Sequence, residues 1–271
     1  MNTFLARLRD RDVLVRLNAF ILSYFGWIAF GVLYGYIGKW SVDITKYFLK
    51  LPLTSKSLVI GLLSFTKSLT PLYDLLKSIY YFGFAGSIGF MVFYVLLYLQ
   101  DFQTSDELLA RYIMAYCGAG AIYLVFHTYA PHYIYHIPGY SMENTLLTRQ
   151  EFVLPSLHNT FAAINIMTVW RYRKRLGGKV LIVINTLIPF ATVLLGHHWI
   201  YDVITGFLLA IAVSRVTNGW AIRIPMFIYS LELKSLEAIT MFNIALATLM
   251  FLIALDPQKW ILLIRSILNQ P

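Results

Sequence analysis

Two short motifs hold the residue types that could handle an anion: Pro155-Ser156-Leu157-His158 and His197-His198-Trp199-Ile200-Tyr201-Asp202. His198 and Asp202 stand four apart, so on a helix their side chains meet on one face. A carboxylate there fixes the imidazole tautomer and stabilises the imidazolium that forms during attack. Pro155 suits the first turn of a helix, where its missing N–H is no loss. Ser156 and the free N–H groups behind it would then face an anion, aided by the helix dipole. His158, one turn in, can reach the same anion, and Gly196 leaves room for a ligand beside the backbone. All six histidines fall between His127 and His198. Taken singly, each motif is a weak signal and reads better as helix capping or an ordinary polar pair. Together, at the water-facing ends of successive apolar runs, they read as a reaction site.

The elements that must position these groups are membrane helices. Of 271 residues, 59% are hydrophobic and 13% charged, against roughly 25% charged in a soluble domain. The apolar runs are long and unalternated, which excludes a transmembrane barrel. A span needs about 20 apolar residues, which places spans near 17–37, 79–99, 108–130, 156–170, 180–196, 199–217 and 238–255. The first is a retained span rather than a cleaved leader, because its apolar stretch is too long for a signal peptide. Residues 39–77 interleave Lys39, Lys46, Lys50, Lys56, Lys67 and Lys77 with apolar residues, and a break at 51–55 favours two short amphipathic interfacial helices. The tail 257–271 also reads as interfacial. The expectation is a single integral membrane domain over 1–271, with its catalytic core at about 79–217 and an extra span and tail at 238–271. Cys117 excludes an internal disulfide and reads as a small core residue; Asn165 reads as an interhelical hydrogen-bonding group, and Glu143 and Glu151 as solvated loop charges.

Arg7, Arg9, Arg11 and Arg16, the run Arg171, Arg173, Lys174, Arg175 and Lys179, and Arg215, Arg223 and Lys234 fall on one side of this topology. Dense basic loops face the cytoplasm. The 131–155 connection and the 196–199 corner then open together on the extracytoplasmic or lumenal face, so His158 and His198 can converge. The lysines of 39–77 share that outer face, against the same rule. A net charge of +9 is read as basic loops against anionic lipid rather than as nucleic-acid binding.

With Pro155-Ser-Leu-His158 followed by His198-x-x-x-Asp202, the chain resembles the type-2 phosphatidic acid phosphatase superfamily, and its paired histidines are most similar to the inositol phosphorylceramide synthase-like branch. The resemblance covers roughly 79–217 and implies a six-helix membrane bundle, here with one extra C-terminal span and amphipathic interfacial helices. It also implies a nucleophilic His198 that forms a phosphohistidine, Asp202 orienting it, His158 protonating the leaving group and Ser156 holding phosphate oxygens, with no metal and no cofactor. The expected partner is a lipid phosphate, with a polar hydroxyl as acceptor in the transferase case; the oligomeric state is open. Two departures stand out. The family's Ser-Arg pair before the nucleophile is replaced by Ala191 and Thr192, and its Lys/Arg-Pro motif by His127-Thr-Tyr-Ala-Pro131-His132. Something else must meet the phosphate charge, and Arg149, His127, His132, His197 and Thr192 are the candidates for substrate binding.

Two other readings remain open. One is a metal-dependent histidine-box oxidase using His132, His136, His197 and His198, since imidazole is a good iron ligand. The other is a lipid-binding or transport protein that keeps the scaffold without chemistry.

Overall fold

A computed structural model describes residues 6–217, 223–231 and 234–267. It is an all-α membrane protein. Six helical stretches among the described residues are long and apolar enough to cross a bilayer: Arg11–Trp40, Thr70–Tyr98, Phe102–Val125, Leu176–Leu194, Ile200–Thr217 and Leu236–Leu255.

Caps explain where these stretches begin. Helix α1 (Arg11–Ile37) starts six residues earlier than the apolar pattern indicates, because the Asp10 carboxylate accepts from the Asp12 N–H. Strand β1 (Val42–Asp43), helix α2 (Thr45–Phe48) and helix α3 (Lys56–Ser68) follow. Helix α4 (Thr70–Ser78) has proline in its first turn and runs straight on through a π-helical stretch, Ile79–Gly83, into α5 (Phe84–Val92) and a second π-helical stretch, Phe93–Tyr98. The span expected from residue 79 therefore begins at Thr70, inside the segment read as interfacial.

Helix α6 (Phe102–Val125) likewise begins before the expected residue 108, capped by Asp101. Its charged first turns are tolerated because they are paired: Arg16 with Asp106 at 2.9 Å, Arg171 with Glu107 at 3.0 Å, and Arg111 with the hydroxyls of Thr168 and Thr217. After α6 the chain turns extended, and β2 (Phe126–His127) pairs in parallel with β1, Val42 opposite Phe126 and Asp43 opposite His127. A one-turn helix α7 (Pro131–Ile134) opens the long connection that follows.

The fourth span, expected at 156–170, is short. Helix α8 is only Leu157–Val169, extended by a 3₁₀ turn, Trp170–Tyr172. At roughly 1.5 Å per residue it reaches only about 20 Å, and it lies inside the bundle. Asn165 on it accepts from Tyr112 and donates to Asn185, as expected of an interhelical glue residue. Helices α9 (Leu176–Leu194) and α10 (Ile200–Thr217) pack on it. Beyond α11 (Arg223–Ser230), α12 (Leu236–Leu255) docks on α1 through Asn243 and Asn18 at 2.6 Å. Helix α13 (Pro257–Ile267) folds back under the 141–150 loop, where Gln258 donates to Glu143 at 2.8 Å; the last four residues of the expected tail lie outside the described residues. Cys117 is exposed on α6 rather than in the core.

Candidate active site

The site forms where α8 and α10 both begin. Ser156 caps α8, its Oγ 3.4 Å from the Asn159 N–H, so Pro155 lies one residue ahead of the cap and not in the first turn. The Ser156 N–H donates to the Asp202 carbonyl at 3.2 Å, stitching the two helix starts together. Gly206 permits this closeness, because a Cβ there would come within 2.7 Å of the Ser156 carbonyl oxygen.

The corner between α9 and α10 turns through Gly196, whose φ of +73° favours glycine. The N–H groups of His197 and His198 both donate to the Thr192 carbonyl at 3.0 Å, and the Trp199 N–H donates to Asp202 Oδ2 at 2.7 Å. Asp202 is thereby fixed before it meets its histidine. Its Oδ2 lies 3.3 Å from His198 Nδ1, and His198 Nε2 lies 3.2 Å from Ser156 Oγ. The carboxylate assigns the proton to Nδ1 and leaves the Nε2 lone pair facing Ser156. The rest of the network agrees: Asn159 Nδ2 donates to Ser156 Oγ at 2.9 Å, so the serine proton is free to point at Nε2. Burial pushes the His198 imidazole down to about 4, so near neutral pH it is uncharged.

His158 faces this pair, with its ring centroid 5.5 Å from that of His198. It is held by Phe84 at 4.3 Å and Tyr80 at 5.3 Å. Tyr80, on the first π-helical stretch, also lies flat on His197 at 3.8 Å with 4° between the planes. His132 closes the layer at 5.2 Å from His197, stacked on Tyr140, with Nε2 3.1 Å from Gln150 Oε1. Burial holds His132 near 4 and takes His197 well below the ordinary range, so all of this layer is neutral at pH 7.

Of the residues singled out from the sequence, His198, Asp202, Ser156, His158, Thr192, His197 and His132 are brought together. Two are placed elsewhere. His127 sits in the β-pair with Nδ1 2.9 Å from Ser41 Oγ. Arg149 donates to the Gly31 carbonyl at 2.7 Å and covers the ring of Tyr34. Glu151 is half-buried and accepts from Asn144, so it is not a free loop charge. His136 is exposed at positive φ, and among the described residues no three His, Cys, Asp or Glu side chains group as metal ligands. Sequence reasoning missed Tyr80, Tyr140, Gln150 and Asn159. Asn159 follows His158 directly and could have been flagged; nothing in the pattern marks the π-helical turn that aims Tyr80.

Comparisons with known proteins give a relative and a family. An uncharacterized protein of Methanocaldococcus jannaschii, MJ0662, is 28% identical over 232 residues, which is 79% of this chain and 88% of that protein. No solved structure is a significant match. Residues 59–216 match the family described as the PAP2 superfamily, a stretch that spans more than half the chain and contains both histidine motifs. The chain belongs to the PAP2 superfamily.

Proposed function

We propose that this protein is a membrane phosphoryl-transfer enzyme acting on a lipid phosphate or phosphodiester through a phosphohistidine on His198. Membership of the superfamily suggests a phosphatase-type enzyme, and the lipid substrate and the covalent step are our reading. The observation that carries it is the His198 ring held between Asp202 and Ser156 with His158 opposite.

The His198 Nε2 lone pair attacks phosphorus as Asp202 takes up the charge that develops on the ring. Ser156 Oγ and the N–H groups at the start of α8 hold the non-bridging oxygens. His158, protonated as the anionic substrate enters, passes that proton to the departing oxygen as the phosphorus–oxygen bond breaks. Water or a hydroxyl acceptor then gives its proton back to His158 and attacks phosphorus, breaking the phosphorus–nitrogen bond. Ala191 and Thr192 in place of the family's Ser-Arg, together with the paired histidines, tilt the reading toward a head-group phosphotransferase like the inositol phosphorylceramide synthase branch. The basic loops support a site on the extracytoplasmic or lumenal face.

The test is a panel of labelled lipid phosphates and phosphodiesters, with and without polyol acceptors, scored for free phosphate and transferred product. His198→Ala should lose at least about 10³-fold in turnover and trap no labelled protein. Full activity in that variant would end the proposal.

A further inference from the structure

The segment 39–77 carries six lysines and, as its only acids, Asp43 and Asp74. It runs from the last residues of the first span, through the connection, into the first turns of the second, which begins at Thr70, and it is fastened to the active-site end of the bundle along its length. Ser41 Oγ donates to the Tyr123 carbonyl, β1 pairs with β2, Phe48 packs edge-on to Trp199 and Tyr201, and the Tyr135 hydroxyl donates to the Thr54 carbonyl. Val59 reaches the Gly196 turn itself. This is a fixed surface beside the mouth of the site, not a loose loop.

Its outward face has a regular composition. Lys39, Lys46, Lys50, Lys56, Lys67 and Lys77 are all exposed, and among the described residues none pairs with a carboxylate. Five of them lie instead against aromatic rings: Lys39 on Trp40 at 4.8 Å, Lys46 and Lys50 on Tyr47, Lys67 and Lys77 on Tyr73. Large apolar side chains stand between them, with Trp40 70% and Phe65 60% exposed. Apolar bodies with cationic tips, uncompensated by acids, match a bilayer interface with anionic headgroups; an acidic soluble partner has no use for the bare apolar groups.

We propose that 39–77 is a binding surface for anionic lipid headgroups in the leaflet onto which the site opens. It gathers negatively charged lipid next to a catalytic centre whose histidine layer is neutral, and it accounts for lysines that the positive-inside rule does not. The surface stands whether or not the phosphohistidine reading holds.

The protein would be reconstituted in nanodiscs of phosphatidylcholine with 30 mol% phosphatidylglycerol, one lipid brominated at a time, and tryptophan quenching read. Trp40→Phe identifies the share of signal from Trp40. Brominated phosphatidylglycerol should be preferred over brominated phosphatidylcholine by about five-fold at Trp40, and high salt should shrink that preference. In the variant Lys39→Gln/Lys46→Gln/Lys50→Gln it should fall to about one, while turnover of a short-chain soluble substrate is unchanged. The pair Lys56→Gln/Lys67→Gln serves if the triple variant does not fold, and should weaken the preference in the same sense. Quenching by each lipid simply in proportion to its mole fraction in the wild type, or an unaltered preference in the variants, overturns the proposal. So does tight binding to a soluble polyanion without any lipid preference.

Discussion

Asp202 makes two bonds with one oxygen, to the Trp199 N–H and to His198 Nδ1, and the first exists to aim the second. Asp202→Asn should keep the corner folded through its own acceptor oxygen yet hold His198 in the wrong tautomer. Turnover should drop about 10²–10⁴-fold with little change in KM, which steady-state kinetics beside a circular-dichroism check would show. The neutral histidine layer gives a second residue-scale prediction. An unfolded imidazole takes its proton near 6.5, whereas His132 and His198 when folded resist until about 4. Protons therefore favour the unfolded chain over that interval: stability is full above about 6.5 and drains as the pH falls toward 4, by at most about 3 kcal/mol for each ring. His132→Gln should flatten the decline of Tm between pH 7.5 and 5, and an unchanged slope would show that His132 is not one of the groups responsible. The motif residues were legible because a histidine, a carboxylate and a capping serine announce their chemistry by type and spacing. Tyr80 was not, since an aromatic residue in an apolar run has many uses and only the π-helical turn selects this one.

At the scale of elements, the meeting of α8 and α10 decides whether the motifs form a site at all. Thr160 Oγ1 lies 2.8 Å from the Ser156 carbonyl and 3.1 Å from that of Gly206, so the two helix starts share a hydroxyl. Gly206→Ala would drive a methyl into the Ser156 carbonyl and displace the cap from His198. The expected result is a folded protein weakened by about 1–3 kcal/mol with turnover down about 10²-fold; a variant with normal turnover would mean that the serine is not held by this contact. Hydropathy located most spans, since it responds to the length of apolar runs. It set the starts of α1, α4 and α6 too late, because Asp10, Pro71 and Asp101 begin those helices ahead of the apolar stretch. Its fourth span, α8, carries the chain between the two ends in only 13 residues and a 3₁₀ turn, and it can be so short because α6, α9 and α10 surround it.

For the molecule as a whole, the two ends of the bundle have opposite characters. One end gathers the arginine pairs: Arg7 on the carbonyls of Leu97 and Tyr98, Arg16 with Asp106, and Arg171 with Glu107. The other gathers the histidines, the β-pair and the lysine–aromatic surface. Helices α8 and α10 begin at the histidine end and run away from it, so the ends are physically separate. Counting only cation numbers, the lysines of 39–77 would compete with the arginine loops for the cytoplasmic side. The short, dense loops dominate orientation because charge close to a span end resists translocation, and lysines gathered on an interfacial surface are already assigned to lipid. This makes a prediction about the intact membrane. In a Cys117→Ala background, a cysteine at exposed Ser141 should react with an impermeant maleimide added to intact cells, whereas one at exposed Lys174 should react only after the membrane is opened. If Lys174→Cys is the one labelled in intact cells, the site faces the cytoplasm, and both the phosphoryl donor and the lipid attracted by the lysines must be sought in the inner leaflet.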